Sequence, residues 1–461
     1  MRYVRASALL AVLGSFIFAA GCSGGSGGAT PPVTVPDQSS ATLGQPDTTT
    51  TDTSGQSAQT ATAPVTTDST VSTAVTSGVP QHILTSTYVY GYAGTPTSVP
   101  LSSIKPYLSW AQTSPAYSTL LRSNGIKVDV YTSFWRNHSK DYPLTGYLDL
   151  KPGGAHASAE AKTCSGTVIY DPSYSGGYEA DARKSSALQH AQVYLSAALA
   201  AWRGNYDAIF SDNTDSMGGI PLPCGYSQST YISATNSVDT NLHIPILFNG
   251  FGNVTVPSSQ TSLLTPSNVL GGMCEICLSG HNNRTNTDYV VTDSKWQGEE
   301  QAEIATVAKH KLYWVYARAT GSAASSIKSR MYVIASFLMT YDPKYAMLQE
   351  AYSTANGFKV EPETGLVPMS PLTTSSTIGG YLRSGGAYMR EFGACYYRGV
   401  NKGRCAVVVN SKGSGSVTVP TTYYHHSMTL SGGGVSSGGT VSFSASRPSS
   451  LAAGTGAILF P

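Results

Sequence analysis

A (β/α)8 TIM barrel followed by a small all-β antiparallel sandwich domain is the α/β fold the sequence predicts, and three observations predict it. Eight apolar runs recur between Thr85 and Glu350, most of them separated by a segment with helical character; that is the pattern of parallel strands joined by helical crossovers, and eight such units in about 270 residues suit a closed barrel. No Gly-rich phosphate fingerprint follows the first run, which sets aside the doubly wound open sheet. From residue 386 the pattern changes to short β runs with dense turns and no helix between them, as in a small sandwich.

The eight runs are 85–92, 127–134, 166–170, 206–212, 244–249, 269–275, 311–318 and 344–350. Candidate crossover helices lie at 185–202, 298–310 and 326–340. The barrel is assigned 81–385 and the sandwich 386–461.

Ahead of the barrel, residues 1–22 carry Arg2 and Arg5, an apolar core and small residues before Cys22. This is the layout of a secretory signal. Its Ala19-Ala20-Gly21-Cys22 ending resembles the bacterial lipobox, which implies lipidation at Cys22. Residues 23–80 are dominated by Ser, Thr, Gly, Pro, Gln and Ala with almost no aromatics. Such a segment buries too little apolar surface to offset its ordering entropy and reads as a flexible linker. The expected location is therefore export, with a lipid anchor to the bacterial cell envelope, or secretion.

Charged residues make up 12% of the chain and the net charge is +2. With no basic block or stripe, nucleic acid is not expected as a partner; no protein partner is expected either. Setting Cys22 aside leaves Cys164, Cys224, Cys274, Cys277, Cys395 and Cys405. An even number in an exported chain favours disulfides, here paired 164 with 224, 274 with 277, and 395 with 405. Extended-strand spacing separates Cys274 and Cys277 by about 10 Å, so a bond between them requires the chain to turn immediately after Glu275. No second Cys or His pair has ligand spacing, so neither a metal nor a cofactor is expected.

In a barrel of this kind the site lies at the carboxyl ends of the strands. The fourth run ends in Asp212-Asn213, the fifth in Asn249, the sixth in Glu275, the seventh in Arg318 and the eighth in Glu350. Period-two alternation puts Ala208, Phe210 and Asp212 on one face and Gly271, Met273 and Glu275 on another. If both faces turn inward, two carboxylates meet across the mouth, which is what glycosidic bond cleavage needs: one protonated to release the leaving oxygen, one ionised to attack the sugar or activate water. Gly271 would leave room for a sugar ring. Tyr90, Asp129, Trp135, Asn213, Asp215, Asn249, Arg318 and Glu350 are the candidate substrate contacts, with Tyr88, Tyr92, Trp296 and Trp314 as further stacking faces. Asp212 as a helix or turn cap, Glu275 as an ion-pair partner of Arg318, and Asp129 as a buried hydrogen-bonding group are the structural alternatives. No Gly-x-Ser-x-Gly elbow occurs, which disfavours an esterase.

The phrases YDAIFSDN, IPILFNGFG, GGMCEIC and KYAMLQE, closed by YMREFGACYYRG and CAVVVNS, resemble the bacterial glycoside hydrolases that pair a (β/α)8 barrel with a C-terminal β-sandwich. The resemblance spans 85–461. It implies Asp212 and Glu275 as the catalytic pair, with the longer Glu275 as acid and Asp212 as nucleophile or base. Ala208 stands where those relatives more often have Gly, and Asp215 is a rival carboxylate. The expected function is hydrolysis of glycosidic bonds in an oligo- or polysaccharide. A non-catalytic carbohydrate-binding lipoprotein on the same scaffold is the alternative.

Overall fold

The computed structural model describes residues 78–90, 101–139, 143–171, 176–214, 222–251, 261–282, 287–319, 321–350, 360–420, 423–435 and 438–461. The signal, Cys22, Tyr92, Asp215 and all but the last residues of the linker lie outside the described residues, as does the side chain of Tyr90.

Eight parallel strands close into a barrel: β1 (Leu84–Tyr90), β2 (Trp110–Thr113), β3 (Lys127–Thr132), β4 (Ala208–Ser211), β5 (Ile246–Asn249), β6 (Val269–Glu275), β7 (Leu312–Ala317) and β8 (Ala346–Glu350). They pair in chain order, and β8 returns to β1. Helices α1 (Pro115–Ser123), α2 (Ala187–Leu199), α3 (Gln228–Leu242), α4 (Asp293–Val307) and α5 (Ala324–Thr340) supply crossovers.

One strand differs from expectation. The second barrel strand is Trp110–Thr113, a WAQT stretch too short and too polar to count as an apolar run. Residues 166–170 belong instead to an excursion between β3 and β4, where Tyr170–Asp171 pairs with Gly177–Glu179 in a small antiparallel sheet. The substitution leaves the strand ending before Asp212 as the fourth and the strand ending in Glu275 as the sixth.

The interior is filled by Trp110, Ala208, Phe210, Leu247, Met273, Trp314, Tyr316 and Met347, one inward side of each strand's alternation. The opposite sides pack beneath the helices in a second and larger core that includes Ile209, Phe248, Cys274, Val315 and Leu348. Gly271 does not open space for a ligand: a Cβ there would collide with the backbone of Leu312, so the glycine serves the close approach of β6 and β7.

The C-terminal region is an antiparallel sheet of β9 (Leu366–Pro371), β10 (Tyr388–Tyr397), β11 (Cys405–Asn410), β14 (Thr455–Phe460), β12 (His426–Ser431) and β13 (Thr440–Ser446), in that spatial order. One face packs on α5, with Gly456 against Ala335. The other buries Met389, Val408 and Leu459 under a two-stranded ribbon carrying Val417 and Leu451. Arg330 of α5, fully buried, donates from Nε and Nη2 to Glu363 at 2.7 and 2.6 Å, pairs with Glu361 at 3.0 Å, and donates from Nη1 to the carbonyls of Gly321 and Gly432.

The six cysteines pair as 164–224, 274–277 and 395–405. The first ties the β3–β4 excursion to the approach to α3; the last joins neighbouring strands β10 and β11. Among the described residues no helix is long and apolar enough to cross a membrane.

Candidate active site

Each carboxylate at the barrel mouth is placed by a turn that begins at the next residue. β4 ends at Ser211, whose hydroxyl and carbonyl both accept from Thr214 Oγ1. Asn213 adopts a left-handed φ of 56°, a conformation Asn tolerates better than most residues. Its N–H returns to Asp212 Oδ1 at 2.9 Å. The Asp212 N–H bonds the Thr132 carbonyl at 2.8 Å, so β3 sets its height. On β6, Ile276 takes φ 57° directly after Glu275, and the Cys274–Cys277 disulfide spans that turn with its Cα atoms 5.6 Å apart.

Asn249, on the strand between, joins the two. Its Nδ2 donates to Asp212 Oδ1 at 2.9 Å and to Glu275 Oε2 at 2.7 Å. Two bonds from one nitrogen keep those oxygens within about 5.6 Å of each other. Asp212 Oδ2 accepts from the Tyr131 hydroxyl at 2.6 Å. Asp212 thus receives three donors, while Glu275 receives one among the described contacts.

Enclosure of the Glu275 carboxyl, then the charge of Asp212, raise its pKa to about 7 against the opposing effects of the Asn249 bond and Arg318. A carboxylic acid that keeps its proton near neutrality beside a second carboxyl group held by three hydrogen-bond donors is the arrangement that acid-assisted displacement requires.

The expected contacts sort by strand parity. Asn213, Asn249 and Arg318 are at the mouth; Arg318 acts electrostatically on Glu275 and on the Tyr316 hydroxyl. Asp129 is placed as a buried hydrogen-bonding group below the mouth. It faces the interior two residues below Tyr131, fully buried, and accepts from Gln112 Nε2 at 2.9 Å; burial raises its pKa to about 7. Trp135 is buried against Phe134 in the outer core, and Trp296 and Trp314 are fully buried, so none offers a face to a ligand. Glu350 points outward: Met347 is in the barrel interior and Leu348 in the outer core, which turns Glu350 toward Arg330, Glu361 and Glu363.

Tyr131 and Tyr316 are the site residues that sequence reading missed. A usable signal existed for both: Tyr131 shares parity with Asp129 near the end of its run, and Tyr316 stands two positions before Arg318, in register with Glu275.

Fold and site together define an eight-stranded parallel barrel with a bridged carboxyl pair at its mouth. No family model matches the sequence, and no curated protein does. Among solved structures, the chain is similar to the glycoside hydrolase domain of PelA from Pseudomonas aeruginosa at 16% identity, covering 60% of this chain and 97% of that one with a TM-score of 0.40. It is similar also to Aspergillus fumigatus Ega3 in complex with galactosamine (12% identity, 60% and 94% covered, TM-score 0.37) and to Eubacterium rectale Amy13B (10% identity, 82% and 96% covered, TM-score 0.42). Likeness at this level transfers neither substrate nor residue roles.

Proposed function

We propose that this protein is a glycoside hydrolase that cleaves an oligo- or polysaccharide with retention of anomeric configuration. The observation that carries the reading is the Asn249 bridge between Asp212 and Glu275. Oxygens held within about 5.6 Å of each other fall short of the roughly 6.5 Å that an additional attacking water needs, which favours double displacement. In this reading Asp212 attacks the anomeric carbon. Glu275 gives its proton to the departing oxygen, then takes one from the water that releases the glycosyl group. Asn249 is placed to hold both groups through the two steps.

The sequence N-terminal to the barrel supports an exported form tethered to the envelope through Cys22, and the three disulfides accord with export. Mass spectrometry of the mature N-terminus tests the anchor.

The function is tested with a glycan panel and the fragment from Gln81 onward, following the anomer first released by NMR. Hydrolysis with retention supports the reading. Initial release of the inverted anomer removes the double displacement, and binding without turnover favours the carbohydrate-binding alternative.

A further inference from the structure

The geometry points to a role for the Cys274–Cys277 disulfide beyond holding the fold together: with Glu299 it is the positioning device of the Glu275 carboxyl. The inference rests on the proposed acid role of Glu275.

Both carboxylates are followed by a left-handed residue, but the residue types differ. Asn213 takes that conformation readily. Ile276, which is β-branched, is a genuine outlier there, because its Cβ crowds the following carbonyl. Something outside the residue has to hold it. An extended strand would separate the two cysteines by about 10 Å, and their Cα atoms are 5.6 Å apart. The disulfide enforces the shortening within the two residues it encloses, Glu275 and Ile276. The same turn sends the Ile276 side chain into the interior cluster with Met273, Trp314 and Tyr316. Gly280 makes room for it, since a Cβ there would meet both Ile276 and Tyr289.

The far end of the loop is fixed by other contacts. Cys277 N–H bonds the Tyr316 carbonyl at 3.0 Å. Leu278, itself at φ 62°, donates its N–H to Glu299 Oε2 at 2.9 Å. The Glu299 carboxyl reaches within 4.8 Å of both sulfurs. Released from the disulfide, Ile276 can return to an ordinary φ, lengthening the loop and drawing Glu275 away from Asn249 and Asp212.

The test replaces both cysteines, Cys274→Ala with Cys277→Ala, and reads two quantities. On the cognate glycan kcat should fall about 10- to 100-fold with KM changed less than about twofold, the signature of a displaced reacting group. Independently of turnover, the Glu275 carboxyl followed by 13C NMR should titrate at least about one pH unit lower than in the wild type as it leaves its enclosure and Asp212, the two influences that outweigh Arg318. Wild-type kcat together with wild-type titration overturns the inference. If the wild type itself hydrolyses no glycan, the proposed function fails, while the titration still decides whether the disulfide places the carboxyl. Should the double variant not fold, Glu299→Gln and Glu299→Ala carry the test. Gln keeps an acceptor for the Leu278 N–H and should retain turnover, and Ala should lose it; equal turnover in the two overturns the inference.

Discussion

Asp212 and Glu275 hang from a single amide nitrogen, Asn249 Nδ2, by hydrogen bonds of 2.9 and 2.7 Å. Their strands are not neighbours; β5 lies between them and supplies the amide. Register sets Asp212 level with Asn249, since Ser211 is opposite Phe248, and places Glu275 two residues beyond Met273, the partner of Asn249. The link couples position to charge, because any movement of Asn249 changes the environment of both carboxyl groups.

The two carboxylates should fail differently. Glu275→Gln should lower kcat/KM on a natural glycan by about 10²- to 10⁴-fold, yet leave glycosylation nearly intact on an aryl glycoside whose phenolate departs without a proton. Asp212→Asn should abolish turnover on both substrates. Parallel kcat/KM measurements on the two substrate types check this, and equal losses for Glu275→Gln on both would contradict the acid role.

Above neutrality activity should fall as Glu275 loses its proton. Its carboxyl is raised to about 7 in the folded protein, so kcat/KM should decline about tenfold per pH unit beyond that value. The limb should be absent from the residual activity of Glu275→Gln. A pH–rate profile on the aryl glycoside, limited by the glycosylation step, should lack it too.

Removing the bridge tests the coupling directly. The Asn249 bond lowers the Glu275 pKa, so Asn249→Ala should move the alkaline limb upward while reducing kcat about 10- to 100-fold through loss of alignment. Asn249→Asp places a third carboxyl beside the pair and should move the limb further in the same direction. A limb that moves downward in either variant would refute the assigned sign.

The strand ends explain how far the sequence carried. The positions of Asp212 and Glu275 at strand ends were legible because β4 and β6 are continuous apolar runs buried on both faces, along which counting alternate residues assigns the inward side. The strand WAQT was not, because its Gln112 faces inward to serve Asp129 and breaks the apolar signature. Glu350 was misplaced by treating every strand's last residue as mouth-facing, whereas parity counted from Met347 and Leu348 turns it outward. Trp135 looked like a stacking face because a single sequence does not distinguish an aromatic in the core from one in a cleft. The bridging role of Asn249 depends on the relative heights of three strands, which is a property of the closed barrel.

Thermal stability should be greatest in mild acid. Burial raises Asp129 and Glu299 to about 7, and Asp239 and Glu303 to about 8. These groups bind more protons folded than unfolded. Their contribution is therefore full below the unfolded carboxylate range and is lost as pH rises through the folded values. Asp149 behaves oppositely: burial raises it, but the bonds from His190 and His156 prevail and hold it low, so its contribution is lost only in stronger acid. Tm should decline steadily from about pH 5 to about pH 8; a Tm that rises across that interval would contradict the assignment.

Arg330 should be the most sensitive position outside the site. Its guanidinium is fully buried between Glu361 and Glu363 and ties α5 to the loop at Gly321 and the sandwich turn at Gly432. Arg330→Met leaves two buried carboxylates without their cation and two carbonyls without a donor, a loss of about 3–5 kcal/mol when one side of a buried pair is removed. Arg330→Lys keeps the charge but cannot reproduce the forked contact with Glu363, so it should destabilise by a smaller amount in the same direction. Glu350 lies close enough to feel the same charges, and burial, with Glu363 and Glu361 beside it, raises its carboxyl well above the usual range. Glu350→Gln resembles the protonated form and should therefore leave the effect of Arg330→Met nearly unchanged. Urea unfolding of the three variants and the double variant checks the order, and a loss below about 1 kcal/mol for Arg330→Met would mean that the network contributes no more than an exposed ion pair.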